Sequence, residues 1–226
     1  MYFRVGRVSR ELMSLKVRIF PAGYIQTNAF LLSDPERGEA VLVDAPHDLV
    51  DMVDKALAED GCALKALLIT HGHYDHIGDV AKFARRGVPL YGHKADKTLF
   101  ENPACMQAYA YPPDIDLEGF EVDHWVEDGS RLELLGLECE VRHVPGHCPG
   151  NVLFYFPAAK AAFVGDALFA GGIGRTDLPG GSFSDLERAI RERIYTLPAD
   201  TVVLPGHGPN TTVGDEISFN PYVSGE

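Results

Sequence analysis

Thr70-His71-Gly72-His73-Tyr74-Asp75-His76 is the stretch on which the reading of this chain turns. Four side chains able to bind a metal, His71, His73, Asp75 and His76, follow directly on the apolar run Ala66-Leu67-Leu68-Ile69. That run reads as a buried strand, so the ligands sit on the loop at its end, where α/β architectures build their sites. Imidazole nitrogens and a carboxylate suit zinc, iron or manganese better than calcium, with no thiolate required. One short loop cannot surround an ion, so the question is whether the rest of the chain supplies the missing ligands.

Working outward, Val17 to Phe20, Ala29 to Leu32 and Ala40 to Val43 read as strands, and Asp34-Pro35-Glu36-Arg37-Gly38 is the turn between the last two. Asp48 to Asp60 places Leu49, Val50, Val53, Ala56 and Leu57 at helical spacing, and Gly61 ends the helix. A second helix is expected over Val80 to Arg86 and a short strand over Pro89 to Tyr91. Lys94 to Asp123, with Pro103, Pro112 and Pro113, reads as a short helix plus a long loop, either a lid or substrate wall or a solvated insertion. Further strands are expected over Arg131 to Leu134, Glu138 to His143, Val152 to Phe156, Ala162 to Val164 and Thr201 to Leu204. Ser184-Asp185-Leu186-Glu187 has the form of a capping box opening a helix. Strands followed by helices, twice over, suggest one domain of two packed sheets with helices outside, spanning residues 1–226.

Three later loops repeat the pattern of strand, turn and ligand. His147 follows Val141-Arg142-His143-Val144-Pro145-Gly146, Asp166 follows Phe163-Val164-Gly165, and His207 follows Val202-Val203-Leu204-Pro205-Gly206. Glycine beside each lets the backbone turn sharply next to an ion. Taken alone, His147 or His207 is more often a plain loop histidine, and Asp166 a turn residue or helix cap. Together they outweigh that reading, because structural histidines have no reason to follow strand after strand. Asp44, ending Val41-Leu42-Val43, is expected to orient a ligand from behind; a turn residue ahead of Pro46 is the plain alternative.

Composition sets bounds. The 226 residues, 46% hydrophobic and 23% charged, fit one soluble globular domain. A net charge of −13 argues against nucleic acid or an anionic membrane surface as a partner and favours bound cations. Cys62, Cys105, Cys139 and Cys148 have no C-x-x-C spacing, so free thiols and a cytoplasmic location are the expectation. The N-terminal Arg4, Arg7, Arg10, Lys16 and Arg18 are interrupted by Glu11 and lack a signal-peptide core; the likeness to an organelle transit segment is faint. No run reaches the ~20 apolar residues that span a membrane. Whether the chain forms a homo-oligomer is left open.

The motif H-x-H-x-D-H, then a later His, a later Asp and a last His, resembles the metallo-β-lactamase superfamily over nearly the whole chain. The resemblance implies an αββα sandwich with a dinuclear site at the edge of its two sheets. It implies one divalent metal, zinc first with iron or manganese as alternatives, on His71, His73 and His147. The second would sit on Asp75, His76 and His207, with Asp166 bridging both. Two such ions lower the pKa of a water between them towards neutrality, giving a hydroxide nucleophile that needs no serine or cysteine. Asp75 and Asp166 are therefore the expected catalytic carboxylates. The segment Gly165 to Gly181 is similar to glyoxalase II-type thioesterases and to persulfide dioxygenases, where a basic residue matching Arg175 lies by the substrate; an Arg175 that only pairs with Asp177 in the loop is the plain alternative.

A thioesterase acting on S-lactoylglutathione-like substrates is the expected function. The alternatives are a persulfide dioxygenase with one iron and a lactonase or other ester hydrolase on the same fold. The ending from Leu204 to Tyr222 resembles short glyoxalase II-like hydrolases and lacks the longer family's C-terminal helices. Cys148, where threonine is usual, reads as a small semi-buried residue or a thiol near the metals.

Overall fold

The computed structural model describes residues 15–108 and 115–225. Arg4, Arg7, Arg10, Glu11, Pro112 and Pro113 lie outside the described residues. The first sheet consists of β1 (Lys16–Ala22), β2 (Thr27–Asp34), β3 (Glu39–Val43), β4 (Ala63–Leu68), β5 (Leu90–His93) and β6 (His124–Val126), neighbours in that order. The chain continues through β7 (Arg131–Leu134), β8 (Leu137–His143), β9 (Val152–Phe156), β10 (Ala161–Gly165), the small hairpin β11 (Leu168–Phe169) and β12 (Gly172–Ile173), then β13 (Val202–Pro205) and β14 (Thr211–Thr212). The second sheet has the order β14-β13-β10-β9-β8-β7. Both sheets are mixed. β1, β2 and β3 pair antiparallel while β3, β4, β5 and β6 pair parallel, and β10 pairs parallel with β13 but antiparallel with β9. The helices are α1 (Val50–Asp60), α2 (Tyr74–Ile77), α3 (Val80–Ala84), α4 (Lys97–Glu101), α5 (Phe183–Ala189) and α6 (Val213–Phe219).

The layering follows from the period of two along each strand. Phe30 and Leu32 of β2 and Val41 and Val43 of β3 face the second sheet, where they meet Val152, Phe154 and Phe156 of β9 and Phe163 of β10. Ala29, Leu31, Ala40 and Leu42, one residue out of step, face outward against Val53 and Ala56 of α1 and Phe83 of α3. The second sheet repeats this arrangement: Leu153, Tyr155, Ala162 and Val164 face Leu186, Ala189, Ile190 and Val213. Strands covered on both faces read as continuous apolar runs rather than alternating ones. The result is the expected αββα sandwich.

Several local expectations change. The helix-opening serine is Ser182, whose hydroxyl accepts from Asp185 N at 3.3 Å, so Ser184 already lies inside α5. The N-terminal amides of α1 are satisfied by a residue distant in sequence: Asp79 Oδ2 accepts from Leu49 N at 2.9 Å and Val50 N at 3.2 Å. The described part of Lys94 to Asp123 is not a solvated insertion. Phe100, Met106, Ile115, Phe120 and Val122 are buried in the outer core of the first sheet. No helix of the described residues is long and apolar enough to cross a membrane.

Asp60 ties the last turn of α1 to β1. Its carboxylate accepts from Lys16 Nζ at 2.7 Å and forms a short ion pair with Arg18. Burial alone would raise this carboxyl, but Arg18 and Lys16 outweigh burial and hold it below its ordinary 3.8. A carboxyl lowered on folding stabilises fully above its unfolded value, and that stability is lost as pH falls through the folded value. Asp60→Asn is therefore expected to cost about 2 kcal/mol at pH 7. Urea melts of both proteins should converge as the pH is taken below about 4.

Candidate metal centre

Four loops bring the seven residues together at one edge of the sandwich, and backbone bonds between them fix that edge. Val152 N donates to Thr70 O at 2.9 Å, Gly206 N to Gly165 O at 2.9 Å, and Asn28 N to Gly206 O at 2.7 Å. The loop after β4 carries His71 and His73 and runs into α2, which carries Asp75 and His76. The loop after β8 brings His147, the end of β10 brings Asp166, and the end of β13 brings His207.

The side chains form three overlapping trios: His71, His73 and His147; Asp75, His76 and His207; and His71, His76 and Asp166. Within each trio the ligand atoms lie within 4.8 Å of one another. Asp166 reaches both outer trios, with Oδ1 3.3 Å from His76 Nε2 and Oδ2 3.6 Å from His147 Nε2 and 3.4 Å from His207 Nε2. Asp75 Oδ2 lies 3.2 Å from His207 Nε2 and 3.3 Å from His76 Nε2, and accepts from Thr27 Oγ1 at 2.7 Å.

The groups behind these ligands fix which ring nitrogen faces inward. His76 Nδ1 donates to Asp44 Oδ2 at 2.7 Å, which points Nε2 into the cluster. Thr70 Oγ1 donates to the same Asp44 oxygen at 2.7 Å and accepts from His71 Nδ1 at 3.1 Å, which turns His71 Nε2 inward. Asp44 thus orients two histidines, one of them through a hydroxyl. Its backbone takes the left-handed conformation, φ 58°, and Oδ1 accepts from Thr70 N at 2.8 Å. His147 Nδ1 donates to the Arg175 carbonyl at 2.8 Å, leaving Nε2 inward. Asn151 Oδ1 accepts from Asp166 N at 3.3 Å while its amide donates to Val164 O at 3.2 Å, holding the Asp166 loop.

Without a cation the two aspartates are offset only by drawing protons onto His76 and His207. Burial holds His71 well below its ordinary value and, with His147 beside it, His73 at about 3. Burial alone would lower His76, but Asp75, Asp166 and Asp44 raise it well above that value. For His207, burial is outweighed by Asp166 and Asp75, which raise it to about 9. Burial would raise both aspartates; His76 and His207 instead hold Asp75 at about 2 and Asp166 well below its ordinary value. His71 Nε2, His76 Nε2 and Asp166 Oδ1 are buried with no hydrogen-bond partner among the described residues. Buried ring nitrogens and carboxylate oxygens left without hydrogen bonds at one point are costly unless something shared satisfies them. The donor set, five imidazoles and two carboxylates, fits borderline divalent cations.

Two expectations are refined. The Arg175 guanidinium grips Asp177 in a bidentate pair at 2.7 and 2.8 Å, exposed to solvent, while its carbonyl serves His147. Cys148 is fully buried and turns its thiol to Asp96 Oδ2 at 3.2 Å rather than to the cluster. All four cysteines are free. Thr27, Thr70, Asp96 and Asn151 were not foreseen. Thr70 was within reach of a sequence reading, because it begins the ligand loop.

A family model described as the metallo-beta-lactamase superfamily matches residues 22–207. The chain is 36% identical over 214 residues to the hydroxyacylglutathione hydrolase GloC of Haemophilus influenzae, covering 93% of this chain and 99% of that one. Among solved structures, the crystal structure of the BLEG-1 B3 metallo-beta-lactamase superposes with a TM-score of 0.84 at 35% identity, covering 92% of this chain and 99% of that one. A di-iron-bound form of TTHA1623 gives 0.78 at 37% identity, covering 92% and 100%.

Proposed function

The chain belongs to the metallo-beta-lactamase superfamily as a metal-dependent hydrolase, and we propose that its substrate is a small thioester of the S-lactoylglutathione kind. The observation that carries the hydrolytic reading is the pair of ligand trios joined by Asp166. In this reading His71, His73 and His147 hold one divalent cation, Asp75, His76 and His207 hold a second, and Asp166 serves both. Zinc fits this donor set, and the di-iron form of TTHA1623 makes iron an equal candidate. When bound, such cations acidify water at neutral pH and polarise a carbonyl oxygen.

The chain's own groups supply orientation. Asp44 and Thr70 fix the rings of His76 and His71, the Arg175 carbonyl fixes His147, and Thr27 fixes Asp75. No protein nucleophile is needed, and the nearby thiol of Cys148 is already engaged by Asp96. The thioester reading is supported by the end-to-end likeness to the Haemophilus hydroxyacylglutathione hydrolase. A thiolate is also a good leaving group, with an ordinary thiol pKa near 8.5, and departs without a dedicated proton donor. Arg175 is the group we assign to a substrate carboxylate: an ion pair as exposed as Arg175–Asp177 holds weakly and exchanges readily for a substrate.

The test is a panel of S-lactoylglutathione, a lactone and a β-lactam, the last because BLEG-1 is a B3 metallo-beta-lactamase. The thioester should lead in kcat/KM by roughly 100-fold. Arg175→Ala should raise KM for it about tenfold and leave kcat within about twofold, the pattern of lost uniform binding. A lactone or β-lactam turned over faster than the thioester would overturn the substrate assignment.

A further inference from the structure

Asp96 closes the 3-10 turn Lys94–Asp96, between β5 and α4, and its carboxylate is almost wholly buried. Oδ1 accepts from Gly150 N at 2.7 Å. Oδ2 accepts from Gly72 N at 2.8 Å and from Cys148 Sγ at 3.2 Å. Gly72 lies between His71 and His73, whereas Cys148 and Gly150 follow His147. One carboxylate therefore joins the two loops, one from each sheet, that carry the His71, His73 and His147 trio.

The sequence makes room for this contact. A Cβ on Gly72 would lie 3.2 Å from Asp96 Cβ and 2.6 Å from Leu99 Cβ, and one on Gly150 would lie 2.8 Å from Asp96 Cβ. Glycine at both positions lets the carboxylate reach the amides. Three donors on two oxygens match a charged acceptor, and charge-assisted bonds of this kind are the stronger ones. Asp44 does the corresponding work elsewhere in the cluster, through His76 and through Thr70 to His71. It touches neither His73 nor His147 in any described hydrogen bond.

We infer that Asp96, assisted by the Cys148 thiol, is the positioning residue that sets the spacing of the His71, His73 and His147 site. The inference rests on the two-cation reading of the cluster. Removing the carboxylate's charge lets the two loops drift apart, so this trio weakens while the Asp75, His76 and His207 trio keeps its own supports, Thr27 and Asp44. A plain loop staple would lower stability without changing how tightly either ion is held.

The experiment is titration of metal-stripped full-length protein with Zn2+ against a competing chelator. Wild type should take up two ions. Asp96→Asn should hold one of them at least tenfold more weakly and the other unchanged, at the low end of the ~10–100-fold contributed by partners behind a ligand. Cys148→Ala, which keeps both amide bonds, should weaken the same ion about threefold, and Cys148→Ser should restore it by supplying a hydroxyl donor. If Asp96→Asn does not fold, the two Cys148 variants decide alone. Two ions held with wild-type affinity in Asp96→Asn, or in Cys148→Ala should Asp96→Asn not fold, would overturn the role of Asp96. A wild-type protein that takes up no Zn2+ would overturn the two-cation reading beneath it.

Discussion

Asp166→Ala should lower thioester hydrolysis by about 10³-fold or more. The estimate follows from the several kcal/mol of transition-state stabilisation that metal ions supply, at 1.36 kcal/mol per factor of ten. Asp166 is the side chain that reaches both outer trios, with one oxygen towards His76 and the other towards His147 and His207. Its loss removes the shared negative charge and leaves two separate trios in which Asp75 is the remaining carboxylate. The fold should survive, because Asp166 contributes no packing to the three apolar cores and its loop stays anchored by Gly206 N on Gly165 O. Circular dichroism should be unchanged while metal content falls below two per chain. Near-normal turnover in this variant would remove the shared carboxylate from the mechanism.

Removing metal should have the second large effect, on stability. Seven candidate ligand side chains are held at one edge, and buried His71 Nε2, His76 Nε2 and Asp166 Oδ1 find no hydrogen-bond partner among the described residues. A cation that binds only the folded chain stabilises it by about 4 kcal/mol at a thousandfold excess over its Kd. For a domain of this size that is roughly 10 °C in Tm. Chelation followed by dialysis should therefore lower Tm by about that much, and adding back Zn2+ should restore it. Asp166→Ala should show a smaller difference between stripped and loaded protein. An unchanged Tm on stripping wild type would mean that the edge is already satisfied without an ion.

The convergence of these seven residues was legible because they are tied to strand ends. Strands with both faces covered announce themselves as unbroken apolar runs, and a histidine or aspartate after each run marks the edge on which they converge. Asp44 was legible for the same reason. The supporting groups were not. Asp96 meets Gly72 and Gly150, respectively 24 and 54 positions away, and nothing in its local sequence, Lys94-Ala95-Asp96, signals that reach. Asn151 and Thr27 depend in the same way on how the two sheets are stacked.

Arg175 was singled out for its side chain, while the contact that reaches the cluster is made by its carbonyl, which any residue would offer. The opening of α5 was ambiguous in principle, since Ser182 and Ser184 each precede an acid by three positions. The chain uses the first, which brings Phe183 and Ser184 into the helix. α6 carries few apolar residues, with Val213 buried and Phe219 exposed, so periodicity gave it no signature.

The central claim is a two-cation hydrolytic centre on His71, His73, Asp75, His76, His147, Asp166 and His207. Elemental analysis of the purified protein, run beside S-lactoylglutathione hydrolysis and oxygen uptake on glutathione persulfide, tests it most directly. The expected result is two divalent ions per chain, thioester hydrolysis that scales with metal content, and no oxygen consumption. A single iron per chain with oxygen uptake on the persulfide would contradict it.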